Sequence, residues 1–143
     1  MTFFKAINQA VANTVNTPAL ATALALLVRI LLAAIFVLAG SSKVGGYAAT
    51  QGYMQAMGVP GFLLPLVIAL EIGGGLALIV GFQTRLAAFG LAVFCIIAAF
   101  IFHHGADQIN QIMFMKNFAM AGGLLALTLH GAGRASLDGE TRA

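Results

Sequence analysis

Four apolar stretches divide this sequence, and each is long enough to cross a lipid bilayer as one helix. They cover residues 19–40, 61–81, 86–102 and 112–131. At a helical rise of about 1.5 Å per residue, about 20 apolar residues span a hydrocarbon core of roughly 30 Å. No linker or low-complexity tract interrupts the pattern. It predicts an all-α integral membrane protein, a four-helix bundle in which residues 1–143 form a single domain.

The longest connection, residues 41–60, joins the first two spans on the side we take as outer. Tyr47 and Tyr53 stand among polar residues there, before the break at Gly58 and Pro60. Tyrosine favours the membrane interface, so this long outer loop is expected to carry an interfacial helix that lies as a lid over the bundle. A plain connector with interfacial tyrosines is the alternative.

A short helix is also predicted before the first span. Apolar residues recur there at helical spacing, at Phe4, Ile7, Val11 and Val15. This single apolar face fits a helix that lies at the cytoplasmic interface, and a loosely ordered tail is the alternative.

Composition and charge narrow the class of protein. Hydrophobic residues make up 61% of the 143 residues and charged residues 8%, with a mean hydropathy of +1.00. That balance cannot cover a soluble globule with polar groups, so membrane lipids are the expected surroundings. Seven basic residues against four acidic ones give a net charge of +3. They form no continuous stripe, which argues against nucleic acid as a partner.

The basic residues are unequally shared between the two sides of the membrane. Four lie on the side of both termini and the second connection: Lys5, Arg85, Arg134 and Arg142. The opposite side holds Lys43, with Lys116 just inside the fourth span. Positively charged loops favour the cytoplasm, so both termini are predicted to be cytoplasmic.

Two opposite charges lie inside the apolar stretches. Arg29 is midway along the first stretch and Glu71 is midway along the second. A charge at the centre of a membrane helix costs roughly 2.5 to 3.5 kcal/mol on insertion scales, so such residues face a partner or a water-filled cavity. Matched depth and opposite sign predict that Arg29 and Glu71 pair with each other. The pair would be either a structural ion pair or the floor of a functional pocket.

Helical phase extends this predicted interior. Lys43 shares a stripe of the first span with Arg29, Ala33, Phe36 and Gly40. Lys116 shares a face of the fourth span with Met120, Gly123 and His130, and this face is expected to turn inward because lipid does not solvate the charge. On the second span, a row of small residues, Gly73, Ala77 and Gly81, predicts close helix packing. The candidate ligand-binding residues are Arg29, Glu71, Lys116, Asn117 and Lys43. Their surplus positive charge suits an anionic or electron-rich ligand, such as a quinone carbonyl or a small oxyanion.

Cysteine and histidine add no metal or thiol chemistry to this prediction. Cys95 is the single cysteine and lies inside the third span, where it is expected to pack as a small hydrophobe. His103 and His104 end the third span, whereas His130 ends the fourth at the opposite membrane surface. That separation excludes a haem held by both sets within one chain. Adjacent histidines diverge on a helix, and no further ligand motif follows, so no metal site is predicted.

Several segments in this order make the chain similar to the DoxX family of bacterial inner-membrane proteins over nearly its whole length. They are Arg29 followed by Gly40 and Lys43, the stretch GYMQAMGVPG before Glu71, the segment GLALIVGFQTRLAA, and MKNFAMAGG in the last span. The resemblance implies a four-helix bundle of the plasma membrane. It also implies kinship with the small subunit of thiosulfate:quinone oxidoreductase and with proteins of thiol or oxidative-stress handling. It implies no settled reaction.

The main functional hypothesis is a redox-associated membrane subunit that binds a quinone-like or small sulfur-containing ligand in its charged interior. If the chain takes part in catalysis, it does so as a subunit of a membrane oxidoreductase. Its sequence identifies no catalytic residue and no intrinsic cofactor. A quinone is the one cofactor that this hypothesis adds, as a bound ligand. A redox partner protein and a second copy of the chain are the expected protein partners. The alternatives are a carrier for a small solute or proton, which four spans would perform as an oligomer, and a structural membrane scaffold.

Overall fold

The computed structural model describes residues 2–139, and within that range every regular element is helical. The elements are α1 (Thr2–Val15), α2 (Pro18–Gly45), α3 (Tyr47–Ala56), a 3-10 turn (Gly61–Leu63), α4 (Leu64–Val80), α5 (Thr84–Phe102) and α6 (Gln108–His130). Four segments are long and apolar enough to span a membrane: α2, the 3-10 turn together with α4, α5 and α6. The predicted all-α architecture with four spans is therefore confirmed.

Two spans are longer than the apolar stretches suggested. Helix α2 continues through Ser41, Ser42 and Lys43 and ends where Gly45 meets Gly46. Polar residues do not break a helix, whereas a glycine pair weakens it. Helix α6 begins at Gln108, because the side chain of Asp107 caps it by accepting a hydrogen bond of 3.0 Å from the amide of Asn110.

The four spans alternate in direction, and consecutive spans pack side by side. Helix α2 packs against α4, α4 against α5, and α5 against α6, while α6 returns to α2 in a smaller contact. At that contact, Gly123 of α6 lies against Leu32 of α2. We call the end where α2 begins and α6 ends the terminal side. The other end, where α3 lies, is the loop side.

Glycines bring α2 and α4 close together, although not all of those that the sequence suggested. A Cβ atom on Gly40 would lie 2.6 Å from Cγ1 of Ile72, and one on Gly75 would lie 2.7 Å from Cγ2 of Val37. By contrast, a Cβ atom on Gly73 would meet nothing within 4 Å. The predicted packing row through Gly73 is wrong in its phase, because α4 turns Glu71, Gly75 and Leu78 inward.

The bundle interior between its two ends is apolar. Leu78 of α4, Leu91 of α5 and Leu124 of α6 have no exposed surface. Cys95 belongs to the same cluster with 1% of its surface exposed, as predicted for a cysteine that packs as a small hydrophobe. Close packing in this layer leaves the polar chemistry of the interior at the two ends of the bundle.

Both segments outside the spans form the expected helices. In α1, Phe4, Ile7 and Val11 are exposed, and its location at a membrane surface stays a prediction. In α3, Met54 is buried and the ring of Tyr53 stacks on Phe102 with centroids 5.6 Å apart. These contacts attach α3 to the loop side of the bundle, while its role as a lid stays a prediction.

Candidate functional site

An ion pair between Lys43 and Glu71 lies on the loop-side half of the bundle. Nζ of Lys43 is 2.9 Å from each carboxylate oxygen of Glu71, and it donates a directional hydrogen bond to Oε1. The Glu71 side chain is 5% exposed and the Lys43 side chain 26%. Within residues 2–139, Oε2 of Glu71 accepts no hydrogen bond. One buried carboxylate oxygen is therefore held by the charge of the ammonium alone, and that cation is partly open to its surroundings.

Helix geometry explains why these two side chains meet. Cα–Cβ bonds tilt toward the N-terminus of their own helix. Since α2 and α4 are antiparallel, Lys43 leans toward the terminal side and Glu71 leans toward the loop side, so the two converge. Gly40 provides the close approach, because its Cα faces the Cβ atom of Glu71 and the backbone of Ile72. The predicted stripe of Arg29, Ala33, Phe36 and Gly40 is the buried face of α2.

Arg29 lies on the terminal side and does not pair with Glu71. Its guanidinium packs against Gly81, at the end of α4, and its Nη2 donates a short hydrogen bond to the carbonyl oxygen of Ala135. Arg29 is 1% exposed, and in the range 2–139 its Nε and Nη1 groups have no hydrogen-bond acceptor. The predicted Arg29–Glu71 pair is wrong because the close contacts at Gly40 and Gly75 displace α2 along α4, so that the middle of the apolar stretch of α2 faces the end of α4.

Residues 131–139, which we call the return segment, run from the end of α6 across the terminal side to the turn between α4 and α5. The amides of Leu137 and Asp138 donate to the carbonyl oxygens of Val80 (3.1 Å) and Gly81 (2.7 Å). In return, the two carboxylate oxygens of Asp138 accept from the amides of Gln83 (2.7 Å) and Thr84 (2.9 Å). Asp138 thus caps α5 from a distant part of the chain.

The electrostatics of Asp138 follow from these contacts. Partial burial raises the pKa of its carboxyl, but the hydrogen bonds from Thr84 and Gln83 and the charge of Arg29 outweigh that effect. The pKa of Asp138 is therefore lower than its usual value. No sequence motif points to Asp138. The only signal for Asp138 is indirect and lies at the start of α5. Gln83, the N-cap residue of α5, has a φ of 47° and makes no side-chain cap. The first amides of this helix therefore need an acceptor from elsewhere in the chain.

Lys116 and Asn117, which the sequence predicts together as ligand-binding residues, lie on different faces of α6. Lys116 is exposed, and its Nζ lies 3.0 Å from Sδ of Met113 on the same helix. Asn117 is 8% exposed, and its Nδ2 donates to the carbonyl oxygen of Met113 at 2.9 Å. The buried face of α6 is Asn117, Ala121, Leu124 and Leu127. The inward orientation predicted for Lys116 is wrong, because a long side chain can carry its charge along the helix surface toward water.

The comparisons with known proteins agree with this architecture. The family model described as DoxX matches residues 24–104 of the chain. The chain belongs to the DoxX family. The matched range includes Arg29, Lys43, Glu71 and Cys95, and it ends before Lys116, Asn117 and the return segment.

Two curated relatives of this DoxX-family chain are inner-membrane proteins of Escherichia coli strain K12. Inner membrane protein YqjF is 53% identical over 114 residues, which cover 79% of this chain and 88% of the relative. Inner membrane protein YphA is 34% identical over 123 residues, with 80% of this chain and 88% of the relative covered. No solved structure matches the chain significantly. Together with the four apolar helices, these relatives place the chain in the inner membrane as a multi-pass protein.

The histidines of this DoxX-family protein are not part of the Lys43–Glu71 ion pair. His103, half-buried, follows α5 on the loop side, and His104 is exposed beside it, whereas His130 ends α6 on the terminal side. Within the described range 2–139, no three His, Cys, Asp or Glu side chains lie close enough to hold a metal ion.

The chemistry available to the DoxX-family bundle is therefore concentrated at Lys43 and Glu71. The ammonium can donate a hydrogen bond, and the carboxylate can accept one or exchange a proton. Cys95, the cysteine of α5, is buried in the apolar cluster. Of the five predicted site residues, the structure brings Lys43 and Glu71 together. Asn117 is buried on α6. Arg29 lies on the terminal side, and Lys116 is exposed on α6.

Proposed function

We propose that this chain is a redox-associated membrane subunit that binds a quinone-like or small sulfur-containing ligand at the Lys43–Glu71 pair. The observation that carries the proposal is the incomplete satisfaction of the pair. Oε2 of Glu71 accepts no hydrogen bond from the described residues, and 26% of the Lys43 side chain is exposed. A ligand that offers a carbonyl oxygen to Lys43 and a hydroxyl to Glu71 would replace part of the Lys43–Glu71 contact, since Oε2 is buried and lies 2.9 Å from the ammonium.

The two side chains would have different roles. Lys43 would donate a hydrogen bond to a carbonyl oxygen of a quinone or to an oxygen of a sulfur-containing anion. Glu71 would accept a hydrogen bond from a hydroxyl group of the ligand and could take up the proton of that hydroxyl. Asn117 could add a neutral donor from α6. The electrons would come from a redox partner protein, because the proposal gives this chain only the binding of the ligand. A second copy of the chain is a further expected partner.

The proposal includes an orientation. Lys5, Arg85 and Arg134 lie on the terminal side, and Lys43 and Lys116 lie toward the loop side. By the positive-inside rule, the proposed cytoplasmic side is the terminal side, with both termini. Arg142, which entered the sequence-based prediction, lies outside the described residues. In this orientation the Lys43–Glu71 pair would open toward the outer half of the bilayer.

The carrier alternative has less support than a binding site open on one side. Leu78, Leu91 and Leu124 are fully buried between the Arg29 end and the Lys43–Glu71 end of the bundle. Apolar side chains packed in this way provide no polar path through one copy. A structural scaffold remains the alternative that the experiment below separates from ligand binding.

Binding of a short-chain ubiquinone to the protein in lipid nanodiscs tests the proposal. Lys43→Met and Glu71→Gln should each weaken binding about tenfold, the loss expected for one hydrogen bond to a charged group. Lys116→Met is the matched control, because it removes an exposed lysine and should leave the affinity unchanged. Equal affinity in all four proteins would overturn the site. Absence of ubiquinone and thiosulfate binding by a folded wild-type protein would favour the scaffold.

A further inference from the structure

A cavity of about 450 Å³ opens on the terminal side, far from the Lys43–Glu71 pair. It lies between the start of α2 and the return segment. Its walls include Asn16, Ala21, Thr22, Ala25, Gly133 and Arg134. Because α2 begins and α6 ends at this level, the cavity lies at the depth of the lipid headgroups when the four helices span the bilayer.

The wall of the cavity is apolar on one side and polar on the other. Helix α2 contributes Ala21, Ala25 and Thr22, whose hydroxyl already donates to the carbonyl oxygen of Pro18, whereas Asn16 and Arg134 bring an amide and a guanidinium. Gly133 has no side chain to fill the cavity. Its φ is 79°, and a Cβ atom there would lie 3.0 Å from Cβ of Ala25. A ligand of this cavity therefore needs both an apolar part and an anionic or strongly polar part.

Among the described residues, Arg134 is the arginine available to such a ligand. Arg29 donates to the carbonyl oxygen of Ala135, and Arg85 donates to the carbonyl oxygens of Thr128 (2.9 Å) and Leu129 (2.6 Å). Arg134 is exposed and, among residues 2–139, makes no hydrogen bond or ion pair. The backbone beside Arg134 is nevertheless fixed, because the next residues of the return segment are held by Arg29 and by the contacts of Asp138 with the α4–α5 turn.

We propose that this cavity binds the phosphate of an anionic membrane lipid, with Arg134 pairing with the phosphate and Ala21 and Ala25 contacting the glycerol backbone and the first acyl carbons. Guanidinium groups match phosphate oxygens in geometry and charge. The same chemistry would serve a free phosphate ion, but the apolar wall on α2 and the headgroup depth favour the lipid.

Native mass spectrometry of the full chain, with phosphatidylglycerol titrated against phosphatidylcholine, tests this site. Arg134→Gln should weaken phosphatidylglycerol binding about fivefold, which corresponds to the attraction of one basic residue to an anionic membrane surface. Ala21→Phe should block the cavity by volume and lower bound lipid to a similar extent. Two matched controls should bind like the wild type: Ala23→Phe on the exposed face of α2, and Lys5→Gln, which removes a charge elsewhere on the same side.

The outcomes are distinguishable. Loss of phosphatidylglycerol binding in Arg134→Gln and Ala21→Phe, with retention in both controls, supports the lipid site. Displacement of phosphatidylglycerol by millimolar inorganic phosphate in the wild type would support the phosphate site but assign it to the free ion. Equal binding of phosphatidylcholine and phosphatidylglycerol, or wild-type binding by Arg134→Gln, would overturn the proposal even if Ala21→Phe failed to fold. None of these results depends on ubiquinone binding at Lys43.

Discussion

Lys43 reaches back along α2 so that its ammonium lies 2.9 Å from both carboxylate oxygens of Glu71 on α4. The glutamate is almost completely buried, whereas the lysine is partly open. One cation therefore compensates one buried anion, with no second basic group of the described residues bonded to that carboxylate. Such an arrangement makes each partner dependent on the other, and its stability can be tested by removing them separately and together.

Lys43→Met should lower the free energy of unfolding by about 3 kcal/mol, because it leaves the buried Glu71 without a partner. The double variant Lys43→Met/Glu71→Leu should recover part of this loss, since no unpaired charge remains. Unfolding in mixed micelles by titration with sodium dodecyl sulfate measures both. Lys116→Met, an exposed substitution, should stay within about 0.5 kcal/mol of the wild type. Additive losses in the double variant would contradict the pairing.

Gly75→Ala should destabilise the bundle by about 1 to 3 kcal/mol, the range for overpacking a close contact. Its new Cβ atom would lie 2.7 Å from Val37 and 3.3 Å from the carbonyl oxygen of Ala33. Gly73→Ala is the control on the same helix, because its Cβ atom meets nothing within 4 Å. The same titration should separate the two variants, and equal stabilities would show that α2 and α4 are not packed through Gly75.

Gly81→Ala should disturb the terminal side for two reasons that a control can separate. Gly81 has a φ of 69°, and a Cβ atom there would collide with Nη1 of Arg29 and with Ser136. Gly58 has a φ of 78° but open space around it. Gly58→Ala should therefore lose only the roughly 1 kcal/mol of left-handed backbone strain, and Gly81→Ala should lose more. The difference in thermal unfolding midpoint measures the collision with Arg29.

Asp138→Ala should cost about 1 kcal/mol, because α5 loses a cap and the return segment loses its anchor. Hydrogen exchange should accelerate at the amides of Leu137 and Asp138, which donate to Val80 and Gly81 in the intact protein. Leu137→Ala is a suitable control, since its side chain is 72% exposed and its backbone bond is unaffected. Unchanged exchange in the Asp138 variant would show that the side chain does not hold the segment.

The same cap predicts a pH dependence. The pKa of Asp138 is lower in the folded protein than its ordinary value of 3.8, so the carboxylate stabilises the fold above that value. This stabilisation should be lost as the pH falls below 3.8 and through the folded pKa. The difference in unfolding midpoint between the wild type and Asp138→Asn should be constant near neutral pH and should vanish in acid. A difference that grows in acid would have the wrong sign.

The sequence predicts the spans well because hydropathy depends on lipid contact along the whole length of each helix. It does not determine how far one helix is displaced along its neighbour. Arg29 and Glu71 are each central in their own apolar stretch, yet Arg29 faces Gly81 at the end of α4, and Lys43 faces Glu71. Close contact at Gly40 and Gly75 determines that displacement, and such contacts are a property of two helices together.

Helical phase was predicted correctly where packing decides it and wrongly where charge was assumed to decide it. The buried face of α2 was identified from the positions of Arg29, Ala33, Phe36 and Gly40. On α6, the expectation that a lysine must turn inward misplaced the face by one residue, to Lys116 instead of Asn117. Asparagine cannot reach water along the helix surface, so the shorter side chain is the one that is buried.

The cap on α5 also affects the order in which this protein can fold during synthesis. Helix α5 begins at Thr84, but the carboxylate that accepts its first amides belongs to Asp138, which the ribosome adds only after α6 is complete. The first three spans therefore enter the membrane with the α4–α5 turn still uncapped. Closure of the terminal side around Arg29 consequently follows the synthesis of α6, because it requires a nascent chain that extends past Asp138.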